Sequence, residues 1–174
     1  MQKVVFVGDA GVGKTRLLMR VRDDAKLLEK NSSPETLPTN LEPFDLGPMT
    51  VYDTPGSRDF DRLRPMLCED AMLFVVCFSF VDRQSLESVE SRWMPSIKKQ
   101  WPDSRVILVG TKSDLWESSD LIPQGVVEDV TAGDHYPCSS VLGDGCDQVV
   151  AALMSQMQDT DRNEARSSAS CKAM

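Results

Sequence analysis

The run Gly8-Asp9-Ala10-Gly11-Val12-Gly13-Lys14-Thr15 fits the pattern G-x-x-x-x-G-K-[ST]. It stands between an apolar stretch, Lys3 to Val7, and an amphipathic one that begins at Thr15. No other feature constrains the fold as much. A strand must deliver such a loop to the end of a sheet, and a helix must leave it. Glycines let the backbone curl until its N–H groups point inward and make an anion nest. The helix N-terminus adds partial positive charge. In this setting Lys14 reaches the β- and γ-phosphates of a nucleotide, and the Thr15 hydroxyl ligates Mg2+. Arg16, the next residue, completes the candidate phosphate contacts.

About a hundred residues later a second motif selects the base. The apolar run Val106 to Val109 reads as a strand buried on both faces. It leads into Gly110-Thr111-Lys112-Ser113-Asp114-Leu115. A carboxylate at Asp114 can accept two hydrogen bonds, from guanine N1–H and N2–H2, and adenine offers no such pair. The wrong base leaves that carboxylate unpaired, at a cost of roughly 1–3 kcal/mol or more. The Lys112 stem can lie along the base and the phosphate loop, with Thr111 and Leu115 flanking it.

Between these motifs lies Tyr52-Asp53-Thr54-Pro55-Gly56. Asp53 stands where a second acidic contact to Mg2+ belongs, usually through water. The Gly56 N–H can meet a γ-phosphate. Further on, Tyr136-Pro137-Cys138-Ser139-Ser140-Val141 offers backbone amides to a guanine carbonyl, by its order in the chain.

These motifs, in this order, resemble a Ras-superfamily small GTPase, nearest the Rho family. The most specific stretch reads D-T-P-G-S-R-D-F-D-R-L-R-P from Asp53. It continues with L-F-V-V-C-F-S, S-L-E-S-V-E-S-R-W-M-P and W-P-D-S-R-V-I-L-V-G-T-K-S-D, ending at Asp114. The resemblance covers roughly residues 3 to 158. It implies a P-loop NTPase G domain of α/β class, a mostly parallel six-stranded sheet with helices on both faces. It also implies GTP/GDP and Mg2+ as ligands, a monomer, and partners that are effector proteins with an exchange factor or GAP.

A chain of 174 residues supports one domain of this kind, 1–158, followed by a flexible tail, 159–174. A net charge of −8 offers no basic surface for nucleic acid. Five cysteines at irregular spacing suggest reduced, cytosolic thiols. No apolar run is long enough to span a membrane, and no signal peptide precedes the first strand. Strands are expected at Lys3–Val7, Glu42–Leu46, Met49–Tyr52, Met72–Phe80 and Arg105–Val109. Helices are expected from Thr15 to about Lys30, Ser85 to Gln100, Gln124 to Val130 and Asp147 to Met157. The second of these helices carries Pro95, where a kink is expected.

The departures from the family pattern bear on catalysis. Ala10 stands where the family has Gly, and its methyl crowds the γ-phosphate. Ser57 stands where the family has the Gln that orients the attacking water, and Ser is too short to reach it. Pro55 replaces the usual Ala and stiffens a loop that must move. Rnd-type Rho proteins, which also lack the Gln, stay GTP-loaded, so two outcomes remain: a slow GTPase, or an essentially non-hydrolysing, GTP-loaded binding module. An ATPase or nucleotide kinase is disfavoured by Asp114.

The first switch is displaced. Thr39, in Leu-Pro-Thr, falls too late counted from Lys14 and too early counted from Asp53. Either this loop is lengthened, making Thr39 the second Mg2+ ligand beside Thr15 and Asp53, or Ser32, Ser33 or Thr36 serves. We assign Thr39 on its local resemblance. No aromatic residue between Lys30 and Leu41 is available to cover the guanine face. The stretch from Asp114 to Ser139 is too short for the extra helix typical of Rho proteins.

The sequence ends Cys171-Lys172-Ala173-Met174, a prenylation box of the farnesyl type. From Asp159 on, Asp159, Asp161 and Glu164 balance Arg162, Arg166 and Lys172, so no polybasic patch assists the lipid. One chain alone gives weak, reversible binding to the cytoplasmic face of membranes. In a eukaryotic cell the intact mass should therefore show a farnesyl group at Cys171. Cys171→Ser should move the protein from the membrane to the soluble fraction, and an unmodified Cys171 makes the box a coincidence.

Overall fold

The computed structural model describes residues 1–22, 42–116 and 122–157. Six strands form one sheet in the order β2-β3-β1-β4-β5-β6. They are β1 Gln2–Gly8, β2 Phe44–Leu46, β3 Met49–Asp53, β4 Ala71–Ser79, β5 Arg105–Thr111 and β6 Tyr136–Pro137. Among the described strands only the β2–β3 pair is antiparallel. It turns at Gly47-Pro48, where Gly47 takes φ +59°, a conformation that favours glycine. The G-domain architecture expected from the motifs is the one observed.

Period-2 alternation divides β1 and β4 between two cores. Val4 and Phe6 of β1 and Leu73, Val75 and Cys77 of β4 face one side. Val5 and Val7, with Phe74, Val76 and Phe78, face the other. Because helices cover both faces, these strands read as continuous apolar runs rather than alternating ones. The first core is closed by the phosphate-loop helix, Lys14–Val21, through Leu17 and Leu18, and by the last helix, 146–157, through Val149 and Leu153. The second is closed by Leu86, Val89, Trp93 and Ile97 and by Val127 of Gln124–Thr131.

Leu86, Val89, Trp93 and Ile97 lie on one long helix of three parts: Arg83–Ser88, a π-helical stretch Val89–Trp93, and Met94–Gln100. Asp82 caps its start by accepting from the Ser85 amide at 3.3 Å. Pro95 lacks the N–H that a regular helix would need, and its ring crowds the carbonyl four residues back. The distortion expected at Pro95 appears one turn earlier, as the wider π turn that receives the displaced register.

Parallel strands joined by helices place their carboxyl ends along one sheet edge, and the order reverses between β3-β1 and β4. The phosphate loop leaves β1 beside that reversal. Gly8 and Gly110 let the neighbours approach closely. A Cβ at Gly8 would lie 2.2 Å from the Cys77 carbonyl oxygen. One at Gly110 would lie 2.4 Å from the Phe80 ring. Gly110→Ala should accordingly cost roughly 1–3 kcal/mol by overpacking. A urea unfolding curve checks it, through a lower midpoint at unchanged slope.

Candidate functional site

The phosphate loop has the backbone that its glycines permit. Gly8, Gly11 and Gly13 all take positive φ, at +143°, +77° and +104°. Gly13 caps the helix that begins at Lys14. The loop curls around the Lys14 side chain, which is buried and donates to the carbonyls of Gly8 and Asp9, each at 2.8 Å. Burial pulls the Lys14 pKa below its usual value, and the nearby carboxylates of Asp53 and Asp9 oppose that shift. Thr15 donates through its hydroxyl to Asp53 Oδ2 at 2.6 Å. Two expected Mg2+ contacts, separated by 38 residues in sequence, are therefore in direct contact.

The base motif is fastened to this loop. Thr111, at the end of β5, donates its hydroxyl to the Val12 carbonyl and to the Phe78 carbonyl. Lys112, in left-handed conformation, donates to the Gly11 carbonyl at 3.0 Å. Asp114 follows in the turn Ser113–Leu115 and is half-buried, while Leu115 is exposed. The Ser113 amide donates to the Cys138 carbonyl at 3.2 Å, and the Cys138 amide donates to Gly110 at 2.7 Å. This brings Ser139, Ser140 and Val141 alongside the base motif. Ser139 is buried and accepts from the Leu142 amide through its hydroxyl, Ser140 is half-buried, and Val141 is exposed. Arg16 sits half-buried in the first helical turn, and Ala10 is exposed at the mouth. Thr39, with Ser32, Ser33 and Thr36, lies outside the described residues, as does the tail with Cys171.

A second set of residues was not singled out by the motifs. Arg92 and Trp93, on the π turn, converge on Asp9 of the phosphate loop. Arg92 donates to Asp9 Oδ1 at 2.9 Å, and the Trp93 indole N–H donates to the same oxygen at 3.0 Å. Arg92 also reaches the Gly56 carbonyl at 3.4 Å and Asp61 at 2.7 Å. Arg64 pairs with Asp61 and donates to the carbonyls of Pro55 at 2.9 Å and Ser57 at 3.1 Å. Both guanidinium groups lie over the Trp93 ring. Burial alone would raise the Asp61 pKa. The hydrogen bonds from Arg64 and Arg92 outweigh it and hold the carboxyl below its usual range.

The segment from Pro55 to Ser57 is thus held on three sides. Gly56 rests so closely on the loop that a Cβ there would lie 2.4 Å from the Ala10 nitrogen. The Ser57 hydroxyl is engaged locally: it donates to Asp59 Oδ2 at 3.1 Å and accepts from the Asp59 amide at 3.3 Å, capping the turn Arg58–Phe60. The sequence signal for this cluster was slight. Trp93 reads as a core residue, and nothing local to Arg92 points to a partner 83 residues away.

Could these residues hold a nucleotide with a divalent cation? The glycine cradle, the buried ammonium and the Thr15–Asp53 pair fit one. Among the described residues no group of three His, Cys, Asp or Glu side chains forms a metal site. Among the described residues, Thr15 and Asp53 are the groups that would hold a cation, together with ligand oxygens.

Fold and site together define a P-loop nucleotide-binding domain. Comparison with known proteins makes this specific: the Ras family model matches residues 3–159, and the chain belongs to that family. It is 33% identical over 163 residues to GTP-binding protein RHO4 of Saccharomyces cerevisiae, an alignment covering 84% of this chain and 54% of that protein. The chain thus spans about half the length of this relative, and its likeness within the family is Rho-like.

If Arg92 holds the Pro55–Ser57 segment in place, Arg92→Met should release it. The loss of a partly buried charge partner should lower stability by roughly 1–3 kcal/mol. Amide exchange over residues 55–61 should rise more than that of β1 or β4, as hydrogen-exchange mass spectrometry would read.

Proposed function

We propose that this chain is a guanine-nucleotide switch that binds GTP and GDP with Mg2+, hydrolyses GTP slowly, and engages effector proteins while GTP-loaded. Asp114 would take the guanine N1–H and N2–H2, with Lys112 and the Ser139–Val141 backbone completing the base site. Lys14 and the amides of Gly11, Gly13 and Thr15 would take the phosphates. Thr15, Asp53 and Thr39 would hold the cation. Reversible attachment to the cytoplasmic face of membranes through Cys171 belongs to the same proposal.

The observation that carries slow hydrolysis is the engagement of Ser57. Its short side chain caps its own turn rather than extending toward a water in line with the γ-phosphate. In small GTPases that water must be oriented, and loss of the orienting group leaves only positioning and charge stabilisation. Ala10 adds a methyl at the mouth, and Pro55 restricts the backbone. The same three positions favour the neighbouring reading, an essentially non-hydrolysing binding module. The two readings part on whether GDP accumulates at all.

Single-turnover cleavage of bound GTP, followed by chromatography of the released nucleotide, decides this. The rate should lie at or below an intrinsic value on the order of 10⁻⁴ s⁻¹. Ser57→Gln combined with Ala10→Gly should raise it roughly tenfold. Wild-type turnover at a GAP-stimulated rate without a partner would refute slow hydrolysis. Cleavage absent over days would establish the binding module.

A further inference from the structure

Two thiols meet beside the base site, and nothing in the reading above uses them. Cys138 follows β6 and is fixed at both ends, donating to Gly110 and accepting from Ser113. Cys146 opens the last helix, 146–157. Between them runs the 139–145 loop, closed on itself by Ser139 N–H to Asp144 at 2.8 Å and Gly143 N–H to Ser139 at 2.7 Å. The closure brings the helix start against the end of β6. A Cβ at Gly145 would lie 3.2 Å from Cys138 Cα. The Cys146 sulfur is 3.5 Å from the Ser139 carbonyl, one residue from Cys138. Both thiols are free and buried, and both lie in the same apolar cluster.

The two thiols are chemically unequal. The Cys138 thiol pulls the Cys146 pKa down; burial opposes it and the Arg20 guanidinium assists. The same pairing raises Cys138, and burial adds to that. Arg20 is held in place by its bond to the Leu142 carbonyl at 3.1 Å, against the loop itself. The helix N-terminus also favours a thiolate at Cys146. By contrast, burial pushes the Cys68 thiol up to about 11 and the Cys77 thiol up to about 12. These two serve as internal controls that remain protonated.

We propose that Cys138 and Cys146 form a redox-controlled disulfide that loosens the guanine-base site. The proposal rests on the guanine reading for its effect, though not for the bond. With a peroxide as oxidant, the Cys146 thiolate attacks one peroxide oxygen. The O–O bond breaks, giving a sulfenic acid and, after protonation of the leaving oxygen, one water. The Cys138 sulfur then attacks the sulfenic sulfur. The S–S bond forms, the S–O bond breaks, and the Cys138 proton leaves with that oxygen as a second water. In sum, two thiols and one hydrogen peroxide give one disulfide and two waters.

A disulfide requires sulfurs about 2 Å apart with a defined dihedral angle, which is tighter than a thiol–thiol hydrogen bond. Closing it draws the helix start toward β6 and shifts the loop that carries Ser139, Ser140 and Val141. Because the Cys138 carbonyl accepts from Ser113, the shift is passed to the neighbour of Asp114. Loss of one net hydrogen bond to the base corresponds to about fivefold faster release.

The test uses the full chain loaded with a fluorescent GDP analogue and treated with a small excess of hydrogen peroxide. Free thiols are then alkylated, the protein digested and the peptides mapped by mass. A linked 138–146 peptide is expected, with Cys68 and Cys77 still alkylated. The analogue should dissociate about fivefold faster from oxidised protein and return to the original rate with dithiothreitol. Cys146→Val should abolish both effects. Cys138→Ala, tested beside it, should stop the reaction at a sulfenic acid that a 1,3-diketone traps. The proposal is overturned if both thiols remain alkylatable, if Cys146 proceeds to sulfinic acid with Cys138 free, or if the disulfide leaves the dissociation rate unchanged. Mapping reads the bond in any nucleotide state, so failure of reduced protein to hold GDP would count against the guanine reading alone.

Discussion

The buried ammonium of Lys14 sets the terms for everything around it. A cation removed from water must be surrounded by acceptors, and only a loop curled by glycines in the left-handed region can turn two carbonyls onto it. Those carbonyls lower the cost without cancelling the charge. Asp53 and Asp9 supply part of the compensation, and each is in turn held by other elements: Asp53 by Thr15, and Asp9 by Arg92 and Trp93. A bound polyphosphate would supply the remainder, which links nucleotide occupancy to folding stability by mass action.

From this point the site extends as one connected body. Thr111 and Lys112 fasten the base motif to the phosphate loop through the carbonyls of Val12 and Gly11. Cys138 fastens the Ser139 loop to the base motif. Arg92 and Arg64 fasten the Pro55–Ser57 segment to the phosphate loop on its other side. The contacts run mainly through backbone carbonyls, so the shape of the site depends on main-chain course more than on side-chain identity. Divergent side chains at Ala10 and Ser57 can therefore change the chemistry while the framework stays the same.

Local pattern made much of this legible. Gly8 to Thr15 announced a strand, a nest and a helix, and the apolar run at Met72–Phe80 announced another strand. Leu86, Val89, Trp93 and Ile97 were readable as an inward stripe because helical spacing is a local property. Arg92 was not legible as a partner of Asp9, since that contact depends on how a distorted helix lies across the sheet. The displaced register ahead of Pro95 escaped for a related reason: proline dictates that a hydrogen bond is lost, while tertiary packing decides which turn absorbs the loss. Irregular cysteine spacing likewise gave no hint that Cys138 and Cys146 share one pocket, because a closed loop brings them together.

The π turn at Val89–Trp93 makes length itself a coded quantity in this helix. A turn of π-helix holds an extra residue that a regular α-helix would not need. It allows two successive side chains, Arg92 and Trp93, to address one carboxylate oxygen, although neighbours on an α-helix diverge by about 100°. Removing a single residue there would regularise the helix and improve its internal hydrogen bonding. It would also rotate either Arg92 or Trp93 away from Asp9. At this place, a locally better helix would be a worse protein.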